Sequence, residues 1–429
     1  MSIYLYGLLY IYLLGGMRME KVRFLAIGCG SRGKGMIENL AKTPGAEIVA
    51  ICDSYEDRTV EMAEEVEKIT GAKPECYTDS EKAFCHDIDA VFICSSWETH
   101  IPLAIKAMEM AIITLVEVGG AYSVEDCHRL VETYERTKTP IMMLENCCYN
   151  KTELLATAMV RDGLFGDIIH CEGEYAHDLR QEIAKGEENR HYRLKNYINR
   201  NCENYPTHEL GPIAKLLNVN RGNRMVSLVS VASKAAGLEA FINSDKNPDK
   251  SLIGTKFKQG DVVNTVITCA NGETVLITLD TTLPRYYSRD FTVQGTKGIC
   301  VQDANMVLLE EKGNTHEFYD ANKTLEKNLN NAEEYEEYLV PQWRNITEEE
   351  KNLGHGGMDY FMFKEFIRCA LSGEEMPIDV YDAAAWMCVT ALSERSIALG
   401  GQPQAIPDFT RGAWIKRAPK DVYEFPKKD

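Results

Sequence analysis

Three glycines near the start of the chain have the spacing of a site for a dinucleotide cofactor. Gly28, Gly30 and Gly33 follow a short apolar run and open a segment whose apolar residues recur at helical spacing. Glycines allow a tight turn and a close backbone approach to a pyrophosphate, and the N-terminus of the following helix offers unpaired N–H groups. The pattern therefore predicts a phosphate-binding turn between a strand and a helix.

An acidic residue completes this pattern and favours one cofactor. Asp53 lies twenty residues after Gly33, at the end of the second apolar run, where a carboxylate would accept hydrogen bonds from a ribose diol. The same carboxylate would repel a 2′-phosphate, so the sequence predicts NAD as the cofactor. Arg32 and Arg58 leave NADP open as an alternative.

A second polar segment follows the next main apolar run. Residues 95–100 include Trp97 and His100 and are expected at the carboxyl edge of the sheet, where ligands bind in such folds. The serines of this segment are also typical of a helix N-cap, and the two roles are compatible.

The elements that position these residues belong to two kinds of sheet. Short apolar runs alternate with helical stretches and indicate buried parallel strands; the runs are 22–27, 46–52, 90–94, 112–117 and 140–144. This rhythm predicts a Rossmann domain over 20–145. Alternating runs then recur between 225 and 309, and Asn271-Gly272 indicates a hairpin. The fold class is therefore α/β, with a C-terminal α+β domain over 146–429 built on an open, mainly antiparallel sheet.

Composition excludes several classes of protein. The 429 residues carry 47 basic and 65 acidic side chains, a net charge of −18, which argues against a nucleic-acid or anionic-membrane binder. The 14 cysteines are scattered without the spacing of a zinc site or a disulfide framework. We therefore expect no metal and a cytoplasmic, reducing environment.

The first nineteen residues do not fit this picture. Residues 3–14 form an apolar run too short to span a bilayer, and no basic residue precedes it as in a secretory signal. We expect the true start to be Met17 or Met19, or 1–19 to be disordered; a weak export signal and a surface arm remain as alternatives.

Several longer segments carry a resemblance to a known family. From residue 21 onward the sequence resembles the Gfo/Idh/MocA oxidoreductase superfamily, but Glu117-Val118-Gly119-Gly120 stands where its ordinary dehydrogenases have Glu-Lys-Pro. It is most similar to the NAD-dependent glycosidases of glycoside hydrolase family 109, the α-N-acetylgalactosaminidase type. The matching segments are 145–149, 172–180, 189–193, 205–212, 220–222, 284–287 and 354–360.

The resemblance implies which residues contact the ligands. It places cofactor contacts, besides the glycine turn, on Ser31, Arg32, Asp53, Trp97, His100, Glu117, Val118 and Asn146. It places sugar contacts on Arg193, Tyr205, Pro206, Thr207 and Tyr287, and makes His208 and Tyr175 the catalytic candidates.

The resemblance also implies a reaction. The sugar is oxidised at C3, the aglycone is eliminated across C1–C2, water adds, and C3 is reduced again without net redox change. His208 would handle the C3 hydroxyl proton, and Tyr175 would remove the C2 proton as a phenolate favoured by nearby cations. The predicted substrate is a glycan or small molecule ending in N-acetylgalactosamine or a related hexosamine.

Other functions remain open at this stage. The same fold serves NAD-dependent sugar or inositol dehydrogenases, which the missing lysine after Glu117 disfavours, and a non-catalytic nucleotide-sugar sensor would need no chemistry at all. The open sheet also predicts a homo-oligomer, a dimer or higher.

Overall fold

The computed structural model describes residues 20–186, 190, 193–312 and 321–426. Packing divides the chain into two compact units. Of the described residues, the first contains those within 20–117, 128–144 and 348–380, and the second contains those within 118–127, 145–347 and 381–426. We call them the nucleotide unit and the sheet unit.

The nucleotide unit is built on a six-stranded parallel sheet in the order β3-β2-β1-β4-β5-β6. The strands are β1 Val22–Ile27, β2 Ala46–Cys52, β3 Glu75–Tyr77, β4 Ala90–Ile93, β5 Ile113–Val116 and β6 Ile141–Met143. The central strands β1 and β4 are almost wholly buried, as expected where helices cover both faces. This strand order is that of a dinucleotide-binding fold.

Helices of the first 140 residues connect these strands. They are α1 Ser31–Lys42, α2 Glu56–Thr70, α3 Ser80–Ala83, α4 Trp97–Glu109 and α5 Val124–Thr137. The helical spacing of apolar residues predicts helices over 32–42, 56–70, 98–110 and 123–138, and these agree with α1, α2, α4 and α5 to within one residue at each end.

A late segment of the chain also packs on the parallel sheet. Helix α14, Met358–Ser372, places Phe366 6.0 Å from Phe24 of β1 and Phe363 5.9 Å from Phe92 of β4, measured between ring centroids. These aromatic contacts explain why 348–380 belongs to the nucleotide unit. The predicted domains, 20–145 and 146–429, stay a prediction. They did not anticipate that 348–380 packs on the parallel sheet, because the order of residues in the sequence does not reveal such a contact.

The sheet unit contains eight strands in the order β13-β12-β11-β7-β10-β9-β8-β14. They are β7 Ile168–Ala176, β8 Met225–Ala232, β9 Val262–Cys269, β10 Thr274–Asp280, β11 Thr292–Gly295, β12 Gly298–Val301, β13 Met306–Leu309 and β14 Gln404–Ala405. All neighbours are antiparallel except β7 and β10, which run parallel. Alternating burial along β9 confirms the predicted open, mainly antiparallel sheet.

The remaining helices come after residue 145, and all except α13 lie wholly or almost wholly in the sheet unit. They are α6 Lys151–Arg161, α7 Arg180–Ala184, α8 Arg193–Asn199, α9 Thr207–Leu216, α10 Gly237–Ile242, α11 Ala321–Asn328, α12 Pro341–Arg344, α13 Glu348–Lys351 and α15 Val380–Ala398. Within the described residues, no helix combines the length and apolar character needed to cross a bilayer. The expectations for 1–19 and for the 189–192 part of a matching segment lie outside the described residues, apart from Arg190.

Candidate functional site

The glycine turn of the nucleotide unit has the geometry that the sequence predicts. Gly28 has φ +99°, and a Cβ there would overlap the carbonyl oxygen of Cys94. A Cβ on Gly33 would overlap the carbonyl oxygen of Gly28. Both positions therefore require glycine, because β1, β4 and α1 approach one another at the turn.

The beginning of α1 suits an anion. Gly30 is the N-cap, and since it has no side chain it cannot cap the first N–H groups, while Ser31 at the first helical position is exposed. Orphan N–H groups and the helix dipole together favour a phosphate at this end. The turn and the helix end fit the pyrophosphate of NAD.

Asp53 is buried at the end of β2 and is held by the neighbouring backbone. Its Oδ2 accepts a hydrogen bond from the Cys29 N–H at 2.7 Å, and its Oδ1 accepts one from the Tyr55 N–H at 3.0 Å. Each carboxylate oxygen can accept a further hydrogen bond. The fixed carboxylate is thus placed beside the glycine turn, as a partner for ribose hydroxyls requires.

Arg32 is committed to partners of its own. Its Nε donates to Glu117 at 2.7 Å, and its two terminal nitrogens donate to Asp359 at 2.9 and 3.2 Å. A guanidinium paired with two carboxylates is poorly suited to balance a 2′-phosphate. Arg58 stacks over the Tyr55 ring at 5.2 Å. These contacts favour NAD over the NADP alternative.

The turn from Ser95 and the first residues of α4 are tightly packed. Trp97 and His100 are both buried, and His100 Nε2 lies 3.0 Å from the carbonyl oxygen of Ser95. Burial lowers the pKa of His100 to about 4, so the ring is neutral near pH 7. The Nε2–H group of His100 therefore donates to the Ser95 carbonyl oxygen and stabilises the turn. The N-cap residue of α4 is Ser96.

The two remaining cofactor candidates lie in the sheet unit. Val118 is buried and directly follows Glu117 in sequence. Asn146 is buried at the start of the 3₁₀ turn Asn146–Tyr149, where Cys147 Sγ lies 3.6 Å from its Oδ1. Their roles toward the cofactor stay predictions.

A cluster of aromatic rings forms the second part of the candidate site, within the sheet unit. Tyr205 and His208 are three residues apart at the start of α9, and their ring centroids are 4.8 Å apart in an edge-on arrangement. Tyr175, on β7, lies 4.7 Å from Tyr205 and 5.5 Å from His208. Pro206 is the N-cap of α9 and adopts helical angles, and Thr207 is buried at the first helical position.

The His208 ring is held by a buried carboxylate. Nδ1 of His208 lies 2.8 Å from Oε1 and 3.0 Å from Oε2 of Glu145, which also accepts the Cys147 N–H at 3.0 Å. Burial alone raises the pKa of Glu145, but His208, Thr207 and the Cys147 amide outweigh it and hold that pKa below its usual value. Because a carboxylate only accepts, Nδ1 carries a hydrogen, and Nε2 is left as the acceptor in the neutral ring.

A glycine allows this approach. A Cβ on Gly211 would lie 2.7 Å from Cγ of Glu145, closer than real side chains come. Glu145 belongs to the matching segment 145–149, but its hydrogen bond with His208 was not predicted from the sequence. The available signal was that Glu145 comes two residues after the end of β6, beyond a strand's carboxyl end.

Two further carboxylates belong to residues near His208 in the sequence, five residues before it and one residue after it. Glu203 and Glu209 are buried, and burial raises the pKa of both. The pair therefore retains a proton near pH 7. Glu145 is thus the ionised carboxylate that faces the imidazole.

Two opposing influences act on the pKa of Tyr175. Burial raises its pKa to about 12, although the Arg193 guanidinium acts in the opposite direction. Desolvation thus opposes ionisation of Tyr175 more than the nearby cation favours it, and the role of Tyr175 as a base stays a prediction.

Arg193 and Tyr287 border the aromatic cluster. Arg193 lies over the Tyr205 ring at 5.0 Å and its Nε is 3.6 Å from Glu182. Tyr287 packs edge-on against His177 at 5.3 Å and keeps 54% of its surface exposed. The structure thus brings Tyr175, Arg193, Tyr205, His208 and, through His177, Tyr287 to one region.

Among the described residues, one group of side chains has the spacing of metal ligands. The atoms that Glu145, Cys147 and His208 could offer to a metal ion lie within 4.8 Å of one another. The hydrogen bonds to Glu145 account for this proximity, so the cluster is explained without an ion. The prediction that the protein uses no metal stays a prediction.

Comparison with protein families accounts for both units. Residues 22–144 match the oxidoreductase family with an NAD-binding Rossmann fold, and 149–416 match the C-terminal domain of glycosyl hydrolase 109. The chain is 38% identical to an alpha-N-acetylgalactosaminidase from Tannerella forsythia, over 93% of this chain and 88% of that protein. It belongs to glycosyl hydrolase family 109.

Other relatives agree with this assignment. A glycosyl hydrolase family 109 protein from Parabacteroides distasonis is 36% identical over 93% of this chain and 89% of its own length. Among solved structures, a myo-inositol dehydrogenase from Lactobacillus casei in complex with NAD(H) and myo-inositol is similar in fold, with a TM-score of 0.59 and 17% identity. That alignment covers 91% of this family 109 chain and 99% of the dehydrogenase.

Proposed function

We propose that this family 109 protein is an NAD-dependent glycosidase that removes terminal N-acetylgalactosamine, or a related hexosamine, by transient oxidation at C3. The observation that carries the proposal is the Glu145-held His208 beside Tyr175 and Tyr205. The relative from Tannerella forsythia, which bears the name alpha-N-acetylgalactosaminidase, supports the choice of sugar.

The residues of the nucleotide unit fit NAD. The glycine turn and the N-terminus of α1 would hold the pyrophosphate, and Asp53 would accept hydrogen bonds from the ribose. When bound, NAD supplies a hydride acceptor at C3 that is regenerated within each turnover.

His208 is the proposed base for the C3 hydroxyl. With Nδ1 donating to Glu145, Nε2 accepts the hydroxyl proton, and the ionised carboxylate stabilises the imidazolium that forms. The same imidazolium returns the proton when C3 is reduced. Glu145 is therefore a positioning residue that fixes the tautomer and the ring plane.

Tyr175 is the proposed base for the C2 proton. A ketone at C3 acidifies C2–H, and loss of that proton allows the aglycone to leave C1 without a pair of carboxylates flanking the glycosidic bond. Since burial raises the pKa of Tyr175 to about 12, the step needs the Arg193 guanidinium to stabilise the phenolate. A water molecule then adds at C1, and Tyr175 returns the proton to C2.

Arg193, Tyr205 and Tyr287 are the proposed sugar contacts, with Pro206 and Thr207 shaping the turn. The Arg193 fork suits hydroxyl or acetamido oxygens, and the exposed Tyr287 ring can stack on a sugar face or donate a hydrogen bond. The ion pair with Glu182 orients Arg193 at the edge of the cluster.

Two smaller proposals accompany this function. Each of the fourteen cysteines lies in the described residues as a free thiol, which supports a reducing, cytoplasmic location. Homo-oligomerisation through the open sheet is proposed as well, and sedimentation of the purified protein tests it.

The decisive experiment compares aglycone release with cofactor reduction. Purified holoprotein is assayed with p-nitrophenyl α- and β-N-acetylgalactosaminides, and absorbance is followed for both p-nitrophenol and NADH. The glycosidase releases p-nitrophenol without accumulating NADH and incorporates deuterium at C2 in heavy water. Net NADH from free sugar would instead establish a dehydrogenase, and sugar binding with neither signal would establish a sensor.

A further inference from the structure

Besides His208, a second histidine contacts Tyr175. His177 directly follows β7, two residues after Tyr175, and residues two apart along an extended chain face the same side. Its Nδ1 lies 3.5 Å from the Tyr175 hydroxyl, and the two rings meet edge-on with their centroids 6.0 Å apart. This separation is long for a hydrogen bond, but catalytic hydrogen bonds often shorten when the substrate binds.

The sheet fixes the backbone of His177. Its N–H donates to the carbonyl oxygen of Asp280 at 2.9 Å, which extends the pairing of β7 with β10 by one residue. The imidazole also packs edge-on against Tyr287, with ring centroids 5.3 Å apart. Strand register therefore places this imidazole, and it packs against two tyrosines of the proposed site.

The Tyr175 hydroxyl needs a proton acceptor as well as a nearby cation. Burial raises the pKa of Tyr175 to about 12, and the Arg193 guanidinium only partly offsets this. Because the cation alone leaves the phenol protonated near pH 7, removal of the C2 proton requires a group that first takes the phenol proton. His177 Nδ1 can do so, since a neutral imidazole has one acceptor nitrogen.

His208 cannot accept both protons of the reaction. Its Nδ1 faces Glu145, and its Nε2 is the proposed acceptor of the C3 hydroxyl proton. When the C2 proton has to leave, His208 already carries the proton from C3. The proton of the Tyr175 hydroxyl therefore needs a separate acceptor.

The charges around His177 allow the ring to gain a proton and to lose it again. Burial lowers its pKa, so the ring is mostly neutral near pH 7 and can accept a proton. The charged side chains that act on it are Glu182 and Asp178, which raise its pKa, and Arg193 and His208, which lower it. The two carboxylates would stabilise the imidazolium once it forms.

We propose that His177 is a positioning residue that acts through Tyr175: its Nδ1 takes the phenol proton, and the phenolate then removes the proton at C2 of the C3 ketone. The aglycone leaves with the electron pair of its bond to C1 and takes the proton that the adding water gives up. Tyr175 then returns its proton to C2, and the phenolate regains the proton held by His177. This inference rests on the proposed glycosidase function and deepens one step of it.

The test follows exchange at C2 in a sugar that cannot undergo elimination. Holoprotein is incubated in heavy water with 1,5-anhydro-N-acetylgalactosaminitol, which has no leaving group at C1, and deuterium at C2 is measured by NMR spectroscopy. Bound NADH is measured by absorbance in the same sample, so oxidation at C3 and exchange at C2 are followed separately. Asparagine keeps an acceptor atom but is not basic, so we expect His177→Asn to form wild-type amounts of NADH and to exchange C2 about 10²-fold more slowly.

The pH dependence of exchange, divided by the amount of bound NADH, separates proton transfer from a structural role. In the wild type, exchange should fall below the pKa of His177, because the imidazolium cannot accept the phenol proton. In His177→Asn, exchange should instead rise about tenfold per pH unit from pH 6 to 8, because hydroxide must remove that proton. Added imidazole should restore exchange to His177→Ala, and His170→Asn, which changes a histidine of the same strand, is the control and should match the wild type.

Two kinds of result would overturn the inference, and they differ in what they imply for the glycosidase. Wild-type exchange from His177→Asn, or equal losses of NADH and of exchange, would show that His177 does not act through Tyr175. If the wild type itself forms no NADH and exchanges no proton, the glycosidase chemistry is refuted, and the role of His177 with it.

Discussion

The nucleotide unit and the sheet unit assemble their chemistry in different ways. In the first, the glycine turn and Asp53 lie within 26 residues of sequence and meet across adjacent strands. In the second, Glu145, Tyr175 and His208 come from a segment after β6, from β7 and from α9. One unit uses a local motif, and the other uses a fold to join distant segments.

The two units also differ in how their ionisable side chains are paired. Arg32 is a permanent cation held by two buried carboxylates, Glu117 and Asp359. His208 has one ionised partner, Glu145, while burial keeps the Glu203 and Glu209 pair protonated. The first arrangement suits a fixed binding group, whereas the second leaves an imidazole free to gain and lose a proton.

The largest expected effect lies in the sheet unit. His208→Ala should lower kcat about 10³-fold because it removes the general base, and Glu145→Gln should lower it about 10²-fold because the tautomer is no longer fixed. Both should retain NAD. Steady-state assays with the aryl glycoside, together with cofactor content after gel filtration, measure the two quantities.

A double variant tests whether Glu145 acts through His208. Glu145→Gln on the His208→Ala background should cost little more, because Glu145 acts through the ring. Glu172→Gln, which removes an exposed ion pair with His170 on the strand of Tyr175, is the control and should keep wild-type kcat. Equal kcat in Glu145→Gln and wild type would show that the hydrogen bond does not contribute to catalysis.

A smaller effect is expected in the nucleotide unit. Asp53→Asn should weaken NAD binding about tenfold, because the amide does not accept hydrogen bonds from both ribose hydroxyls. It should also reduce the ratio of NAD affinity to NADP affinity, because the amide does not repel a 2′-phosphate. Calorimetric titration of stripped protein with each dinucleotide measures both changes. Glu56→Gln, at the start of α2, should bind NAD normally; a wild-type affinity in Asp53→Asn would contradict the ribose assignment.

The smallest effect concerns the protonated carboxylates and appears as pH dependence of stability. Burial raises the folded-state pKa of Glu203 and Glu209 above the ordinary glutamate value of 4.5, to about 8 for Glu203. The folded protein therefore binds more protons than the unfolded chain, and unfolding free energy falls as pH rises from about 4.5 towards 8. Each retained proton contributes up to about 1.4 kcal/mol per pH unit.

Glu209→Gln should reduce this loss. The amide resembles the protonated acid, so urea unfolding at pH 5 should differ little from the wild type, and the variant should become the more stable protein as pH rises to 8. Parallel stability curves for the two proteins across that range would mean that Glu209 is ionised in the folded state.

Much of the nucleotide unit follows from periodicity. Strands and helices agree with the sequence because parallel strands are buried on both faces and give continuous apolar runs. β3 was missed, since Glu75–Tyr77 is short and largely exposed. The return of α14 to the parallel sheet was also invisible, because pairing of Phe366 with Phe24 leaves no local pattern.

The candidate site was predictable only in part. Spacing alone identified the glycine turn and Asp53, whereas His208, Tyr175 and the sugar contacts came from resemblance. The bond between Glu145 and His208 spans 63 residues and depends on Gly211, so no window of sequence contains it. The pKa of Tyr175 could not be predicted, because cations can be read from sequence, but desolvation depends on packing.

The single parallel pair of the second sheet has an evolutionary consequence. β10 lies beside β7, but the chain reaches it only after crossing to β8 and returning through β9. The outward passage, from 177 to 224, includes α9 with His208, and none of its described residues belongs to a strand of this sheet. Insertions or deletions before residue 203 can therefore reshape what the protein recognises while leaving the sheet intact, so new carbohydrate preferences can arise there at little cost to folding.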